Sequence, residues 1–336
     1  MNEYKYSHPF TLENGVVLNE IDIAYHTWGI LNATGDNVIW ICHALTANSN
    51  AAEWWPGMIG PGLILDTEKY FVVCANIIGS CYGSTGPVSI DVNTGKPYYH
   101  RFPAITVRDM VKAHQLLRDH LQIKSIHTLI GGSMGGYQAL EWSIKESQRI
   151  QQLVLVVTSA KESAWGIAIH TAQRLAIEAD ETWNKPTPDA GKKGLIAARA
   201  FGMVTYRNYQ AYNATQTDFE FEKLDGYKAS GYIIYQGNKL ANRFNAYSYW
   251  LLTKTMDSHN IARGRSEKIE EVLKTIQQKS IVIGIKSDFL CPLSEQEQLA
   301  THIPHAKFFQ IDSAFGHDGF LVETKQITNI LKSFIE

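Results

Sequence analysis

Cysteine is scarce in this 336-residue chain, and the few present form no pattern. Cys42, Cys74, Cys81 and Cys291 make no C-x-x-C pair, and Cys42 and Cys74 sit in apolar, strand-like runs. This argues against a disulfide framework or a thiolate metal centre and predicts reduced, buried thiols in a cytoplasmic protein. Long apolar runs are also missing. None approaches the ~20 residues that a membrane span needs, and the first residues, MNEYKYSHPFTLENG, lack the basic-then-apolar order of a secretory signal. Neither sign of charge is in excess: 31 Lys and Arg stand against 33 Asp and Glu, with no basic block. Nucleic acid and membranes are therefore not expected partners. No internal repeat, low-complexity tract or metal-ligand cluster is apparent.

The chain has instead the composition of an ordinary globular protein, 45% hydrophobic and 19% charged. Its length suits one large core or one core carrying an insertion. The segment VVLNEIDIAYHTWG alternates apolar and polar residues and predicts one or two antiparallel strands at a sheet edge. Short β-branched runs without alternation follow: VIWICH (38–43), FVVCAN (71–76), HTLI (127–130), LVLVVT (153–158), IVIGI (281–285) and KFFQI (307–311). Unbroken apolar strands imply a sheet covered on both faces. Helical periods such as VRDMVKAHQLLRDHL (107–121) and GYQALEWSIKES (136–147) lie between several of them. Alternating strand and helix give an α/β class with a mostly parallel sheet flanked by helices. From about 161 to 275 the only β-like run is YIIY (232–235), which helical context can absorb. That interval is too long for a loop. It predicts an inserted helical lid over 161–275 on a core formed by 1–160 and 276–336.

The chemistry concentrates in LIGGSMGGYQALEW (129–142). Gly131-Gly132-Ser133-Met134-Gly135 fits G-x-S-x-G, follows a strand and opens a helix, which is the context of a nucleophile elbow. Neither a Walker lysine nor a G-x-G-x-x-G spacing is present, so a phosphate loop does not fit. Such a turn lifts Ser133 Oγ above the sheet at the positive end of a helix, with the Met134 N–H aimed where an oxyanion would form. A serine needs a base, and the base needs an orienting acid. Two late strand ends supply them: Asp288 follows IVIGI, and His317 follows KFFQI. The second oxyanion donor is expected in the loop His43-Ala44-Leu45-Thr46; Leu45 is one choice, and spacing alone does not fix the residue. His43 is expected to shape that loop, and Asp312, the rival acid, to cap or turn its own.

With these residues placed, the sequence resembles the homoserine O-acetyltransferase family of α/β-hydrolase-fold acyltransferases. The resemblance runs through CHALTANSNAAEWWPGMIGPG (42–62), YFVVCANIIGSCYGSTGP (70–87), GGSMGGYQALEW (131–142), QGNKLANRF (236–244), SDFLCP (287–292) and GHDGFL (316–321). It implies the α/β-hydrolase fold and a two-step acyl transfer from an acyl-CoA, acetyl-CoA first, to the hydroxyl of a small amino acid. No permanently bound cofactor or metal is implied. Ser133, Asp288 and His317 would form the triad, with Leu45 and Met134 as oxyanion donors. In AARAFGMVTYR the pattern places Arg199 on the substrate carboxylate with Tyr206 close by, and Asp318 on the ammonium. The resemblance also implies a homodimer built through the lid helices, where Trp165, Trp183 and Trp250 are candidates for packing. RFNAYSY (243–249) departs from a common R-F-D-A-N-S-Y at Asn245 and Tyr247, in the segment expected to shape the substrate pockets. Succinyl-CoA as donor, serine as acceptor, and water as acceptor in an esterase all remain open from the sequence.

Overall fold

The computed structural model describes residues 1–335. Eight strands form one sheet: β1 (Asn2–Tyr6), β2 (Ile21–Trp28), β3 (Val38–Cys42), β4 (Phe71–Ala75), β5 (Ile126–Gly132), β6 (Ile150–Val156), β7 (Lys279–Ile285) and β8 (Ala306–Ile311). Their order across the sheet is β1-β2-β4-β3-β5-β6-β7-β8. The six strands from β4 to β8 run parallel, while β1 and β2 are added at one side by antiparallel pairing, so that β2 alone runs against the rest.

The expected edge strand is not the edge. β2 pairs on both sides, and β1 takes the outer position. NEYKY carries no strand signal in the sequence because it is short, charged and without an apolar run, and in the fold it is mostly exposed. Those are the properties that let an edge remain unpaired without recruiting another chain.

The apolar runs are unbroken because both faces of the sheet are covered. All five residues of β3 are buried, and they alternate between faces. Trp40 packs with Met110, Leu129 and Trp142 on one side, whereas Ile39 and Ile41 pack with Ile130, Ile283 and Leu331 on the other. The first side is covered by α1 (Val107–His120) and α2 (Met134–Lys145). Thr106 and Asp109 start α1 with a reciprocal capping box.

No strand falls between Val156 and Lys279 among the described residues. The interval holds α3 (Ala164–Glu178), α4 (Lys192–Tyr206), α5 (Tyr209–Gln216), α6 (Lys228–Ala241) and α7 (Ala246–Asp257). YIIY lies inside α6. Two helices of the C-terminal part follow, α8 (Leu293–His302) and α9 (Thr324–Ile335). α9 closes the second face of the sheet through Ile327, Leu331 and Phe334. Because the central strands are parallel, the loops leaving their carboxyl ends gather along one rim, which is where an open α/β sheet places its site.

Candidate active site

The glycines around Ser133 are explained by close approach. A Cβ on Gly135 would stand 2.0 Å from the Cys42 carbonyl oxygen, and one on Gly131 would stand 2.2 Å from the Gly135 oxygen. On Gly136 it would meet the Thr158 hydroxyl at 2.3 Å. Strand β5, the turn and helix α2 are packed too closely for side chains at those positions. Ser133 itself adopts φ 55°, ψ −127°, a region costing about 1–3 kcal/mol for a residue with a Cβ. The surroundings hold it there. Its N–H donates to Val156 O at 2.9 Å, and its carbonyl accepts the Thr158 hydroxyl at 2.9 Å and the Gly136 N–H at 2.8 Å.

The three residues expected to meet do meet. Ser133 Oγ lies 2.9 Å from His317 Nε2, and His317 Nδ1 lies 2.7 Å from Asp288 Oδ2. All three are buried. The other oxygen of Asp288 accepts the N–H groups of Leu290 and Cys291 at 2.8 and 2.9 Å, so the carboxylate cannot swing. Gly316, at φ +60°, lets the histidine loop reach the site: a Cβ there would lie 2.8 Å from Tyr206 O. Burial by itself pushes the His317 imidazolium down. The Asp288 charge and hydrogen bond, helped by Asp318 and Glu162, outweigh it and raise the pKa above its ordinary value. Asp312 is exposed and takes no part, as expected of a loop residue.

Leu45 and Met134 both lie at the serine. Met134 is the first residue of α2, so its N–H has no acceptor one turn back within the helix. The loop carrying Leu45 is braced from two sides. His43 is fully buried, with Nδ1 against the Ala44 carbonyl at 2.9 Å and Nε2 accepting the Ile77 N–H at 3.2 Å. Burial drives its pKa down to about 4, so it stays neutral. Gln138, one turn into α2, donates to both His43 O (3.1 Å) and Met134 O (3.3 Å). Sequence reasoning missed Gln138, because nothing local distinguishes it from any other polar residue on a helix.

A cavity of about 160 Å³ opens over the serine. Leu45, Ser133, His317, Arg199, Tyr206 and Asp318 all line it, so every residue expected to touch substrate, other than Met134 beneath the serine, faces one space. Arg199 makes no ion pair among the described residues, and its Nε is buried without a hydrogen-bond partner; its guanidinium sits 5.2 Å from the Tyr206 ring centre. Asp318 is not free. Its Oδ2 lies 3.0 Å from Arg207 Nε, a charge contact whose N–H is not aimed for a hydrogen bond. His170 on α3 and Arg243 after α6 also line the cavity and were not anticipated. Asp288, Cys291 and His317 place possible metal-ligand atoms within 4.8 Å of one another. Two of those groups are already bonded to each other, and burial and the neighbouring Asp288 push the Cys291 thiol up, away from the thiolate a metal would need.

The profile of the alpha/beta hydrolase fold family matches residues 37–324. The homoserine O-acetyltransferase of Cyclobacterium marinum is 48% identical over 324 residues, covering 96% of this chain and 92% of its own length. That of Trichormus variabilis is 43% identical, covering 97% of this chain and 91% of its own. The chain belongs to the homoserine O-acetyltransferase family. A crystal structure of homoserine O-acetyltransferase from Bacillus anthracis superposes with a TM-score of 0.92 at 25% identity, covering 100% of this chain and 97% of the other. Esterase E22 superposes with a TM-score of 0.90 at 22% identity over 100% of both chains, a likeness of fold alone.

Within this homoserine O-acetyltransferase fold, the two departures in RFNAYSY do not shape the pocket. Asn245 caps α7, its Oδ1 accepting the Ser248 N–H at 2.8 Å. Tyr247 stacks on Tyr99, and its hydroxyl donates to Lys185 O at 2.8 Å. Neither lines the cavity over Ser133. Trp183 is buried against Tyr247 of the helical segment and His100 of the core, so it packs where the two meet rather than on an open surface, whereas Trp165 is exposed.

Proposed function

We propose that the protein acetylates the side-chain hydroxyl of homoserine, with acetyl-CoA as donor and no permanently bound cofactor, and so serves methionine synthesis. Ser133 is the nucleophile. His317 Nε2 takes its proton as Oγ attacks the thioester carbonyl, and the N–H groups of Leu45 and Met134 hold the oxyanion. The intermediate collapses, the C–S bond breaks, and His317 returns the proton to the departing CoA thiolate. The homoserine hydroxyl then attacks the acetyl-serine while His317 takes its proton. Collapse of the second intermediate frees O-acetylhomoserine and hands the proton back to Ser133. Asp288 holds the ring in the tautomer that presents Nε2 as acceptor. Arg199 pairs with the substrate carboxylate, Tyr206 flanks it, and Asp318 contacts the ammonium.

The observation that carries this reading is the hydrogen-bonded chain Ser133–His317–Asp288 opening into the same cavity as an unpaired guanidinium, Arg199. The test follows thiol release from acetyl-, propionyl- and succinyl-CoA against homoserine and serine. Homoserine-dependent release, fastest with acetyl-CoA, is expected. Release that ignores the amino acid, or rapid cleavage of simple esters at the same rate with and without it, would make water the acceptor and reject the transferase reading.

Residues 161–275 serve as the lid of a core made from 1–160 and 276–336, since Arg199, Tyr206 and His170 reach the cavity from its helices. We further propose a homodimer formed through that segment, in a cytoplasmic protein. Phe219, Phe221, Leu224, Val204 and Ile234 are exposed on α4, α6 and the stretch before α6, with Phe221 fully open to solvent. Apolar exposure of that extent marks an interaction surface. Light scattering is expected to give twice the chain mass of 37.8 kDa, and Phe221→Asp with Leu224→Asp should release monomers. A monomeric wild-type protein at micromolar concentration rules the dimer out. The cytoplasmic assignment is supported by the four unpaired thiols; fractionation with the label outside the cytoplasm would reject it.

A further inference from the structure

His170 belongs to a second histidine–carboxylate pair in the same cavity as the triad. It lies on α3, is 97% buried, and lines the space over Ser133. Its Nδ1 is 2.9 Å from Asp257 Oδ1, at the end of α7. The other oxygen of Asp257 accepts from Arg174 Nη2 at 2.6 Å. Arg174 also reaches the Thr171 hydroxyl at 3.0 Å. The pair is thus oriented from behind, leaving His170 Nε2 as the ring nitrogen without a hydrogen bond among the described residues. Buried histidines elsewhere in the fold look different. His114 and His259 each have an Nδ1 sealed away from solvent without a partner among the described residues, and neither lines the cavity over Ser133. They are packing residues.

Resting on the homoserine reading above, we infer that His170, oriented by Asp257, is a second recognition group for the acceptor, with its Nε2 accepting a hydrogen bond from the α-ammonium. With Nδ1–H donated to a carboxylate, a neutral ring offers only a lone pair at Nε2. That lone pair suits an ammonium and repels a carboxylate, and the carboxylate already has Arg199. The ammonium carries three donors. Asp318 satisfies at most part of that demand, because Arg207 shares its charge at 3.0 Å. Arg199, Asp318 and the Asp257-oriented His170, which all line one cavity, would then read both ends of an α-amino acid, while the hydroxyl faces Ser133 and His317.

The test compares homoserine with γ-hydroxybutyrate, which lacks the amine, and with aminopropanol, which lacks the carboxylate. His170→Ala is expected to raise the KM for homoserine and for aminopropanol about 10- to 100-fold, the worth of a charge-assisted hydrogen bond, while γ-hydroxybutyrate shifts less than about threefold. Homoserine-dependent turnover should fall at least tenfold more than acetyl-enzyme formation measured by the first burst of thiol. His170→Gln, whose amide oxygen can stand in for Nε2, should recover part of the loss. Equal losses for homoserine and γ-hydroxybutyrate, or an unchanged KM for homoserine, would overturn the inference. Should His170→Ala not fold, the wild-type protein carries the test through its imidazole nitrogen resonances. Homoserine should move the Nε2 signal of His170 and γ-hydroxybutyrate should not; the reverse, or no shift with either, overturns it. A wild-type enzyme that releases no thiol in response to homoserine would instead defeat the functional reading itself, a failure distinct from an unaffected His170 variant.

Discussion

Ser133→Ala is expected to reduce homoserine-dependent thiol release by at least about 10⁴-fold, with no acetyl-enzyme detectable by intact mass. The size of the effect follows from the two-step path. Removing Oγ deletes the atom that carries the acetyl group between substrates, so both half-reactions lose their common intermediate. Direct attack by homoserine on the thioester is left with only the oxyanion donors and binding energy. The fold should tolerate the change, because Ala keeps a Cβ at a position already held at φ 55° and loses only the bond to His317. A variant that melts like wild type and keeps more than one per cent of its activity would remove the covalent serine from the mechanism.

Asp288→Asn should cost nearly as much, about 10³- to 10⁴-fold in kcat, for a reason that the local geometry makes specific. Oδ1 accepts two backbone N–H groups, from Leu290 and Cys291. In the variant the amide oxygen keeps those bonds, and the NH2 is forced to face His317 Nδ1. The imidazole must then accept at Nδ1 and carry its proton on Nε2, where it points at Ser133 and cannot act as base. The same substitution removes the charge that raises the His317 pKa, so burial prevails and the pKa falls. With His317 as the base, only its neutral ring can act. Activity is therefore lost as pH falls through the raised pKa, and the acid limb of kcat/KM for acetyl-CoA should lie above pH 6.5, the ordinary value for histidine. In Asp288→Asn the residual activity should have its limb at lower pH. A wild-type profile flat from pH 5 to 8, or a limb that does not move in the variant, would separate His317 from the base.

The elbow was legible because its demands are local. A strand, a serine at positive φ and a helix start within a few residues require glycine wherever Cys42, Gly135 or Thr158 comes close, and glycine leaves a visible mark in the chain. Asp288 and His317 were legible through the strands that precede them, since parallel strands deliver their following loops to one rim. Outside such local signatures the reading failed in characteristic ways. NEYKY has neither the alternation nor the apolarity of a strand, and it becomes one only because β2 offers an edge. Asn245 and Tyr247 looked like pocket residues, yet a cap and an aromatic stack claim them. Asp318 acquired Arg207 as a neighbour from the end of a lid helix, which no spacing between Tyr206 and His317 foretold.

Taken alone, the order of residues determined an α/β sheet, the strained serine turn, the identity of its histidine and acid, and the interval that is helical. Those features follow from backbone conformation and from burial on one face or two, both of which leave periodic traces. Tertiary structure alone decided which side chains of α3, α4 and α7 look into the cavity, how Gln138 ties the loop at His43 to the elbow, and that His170 meets Asp257 across 87 residues of chain. Such contacts join surfaces of separate helices, and their partners are chosen by packing rather than by any neighbour in sequence.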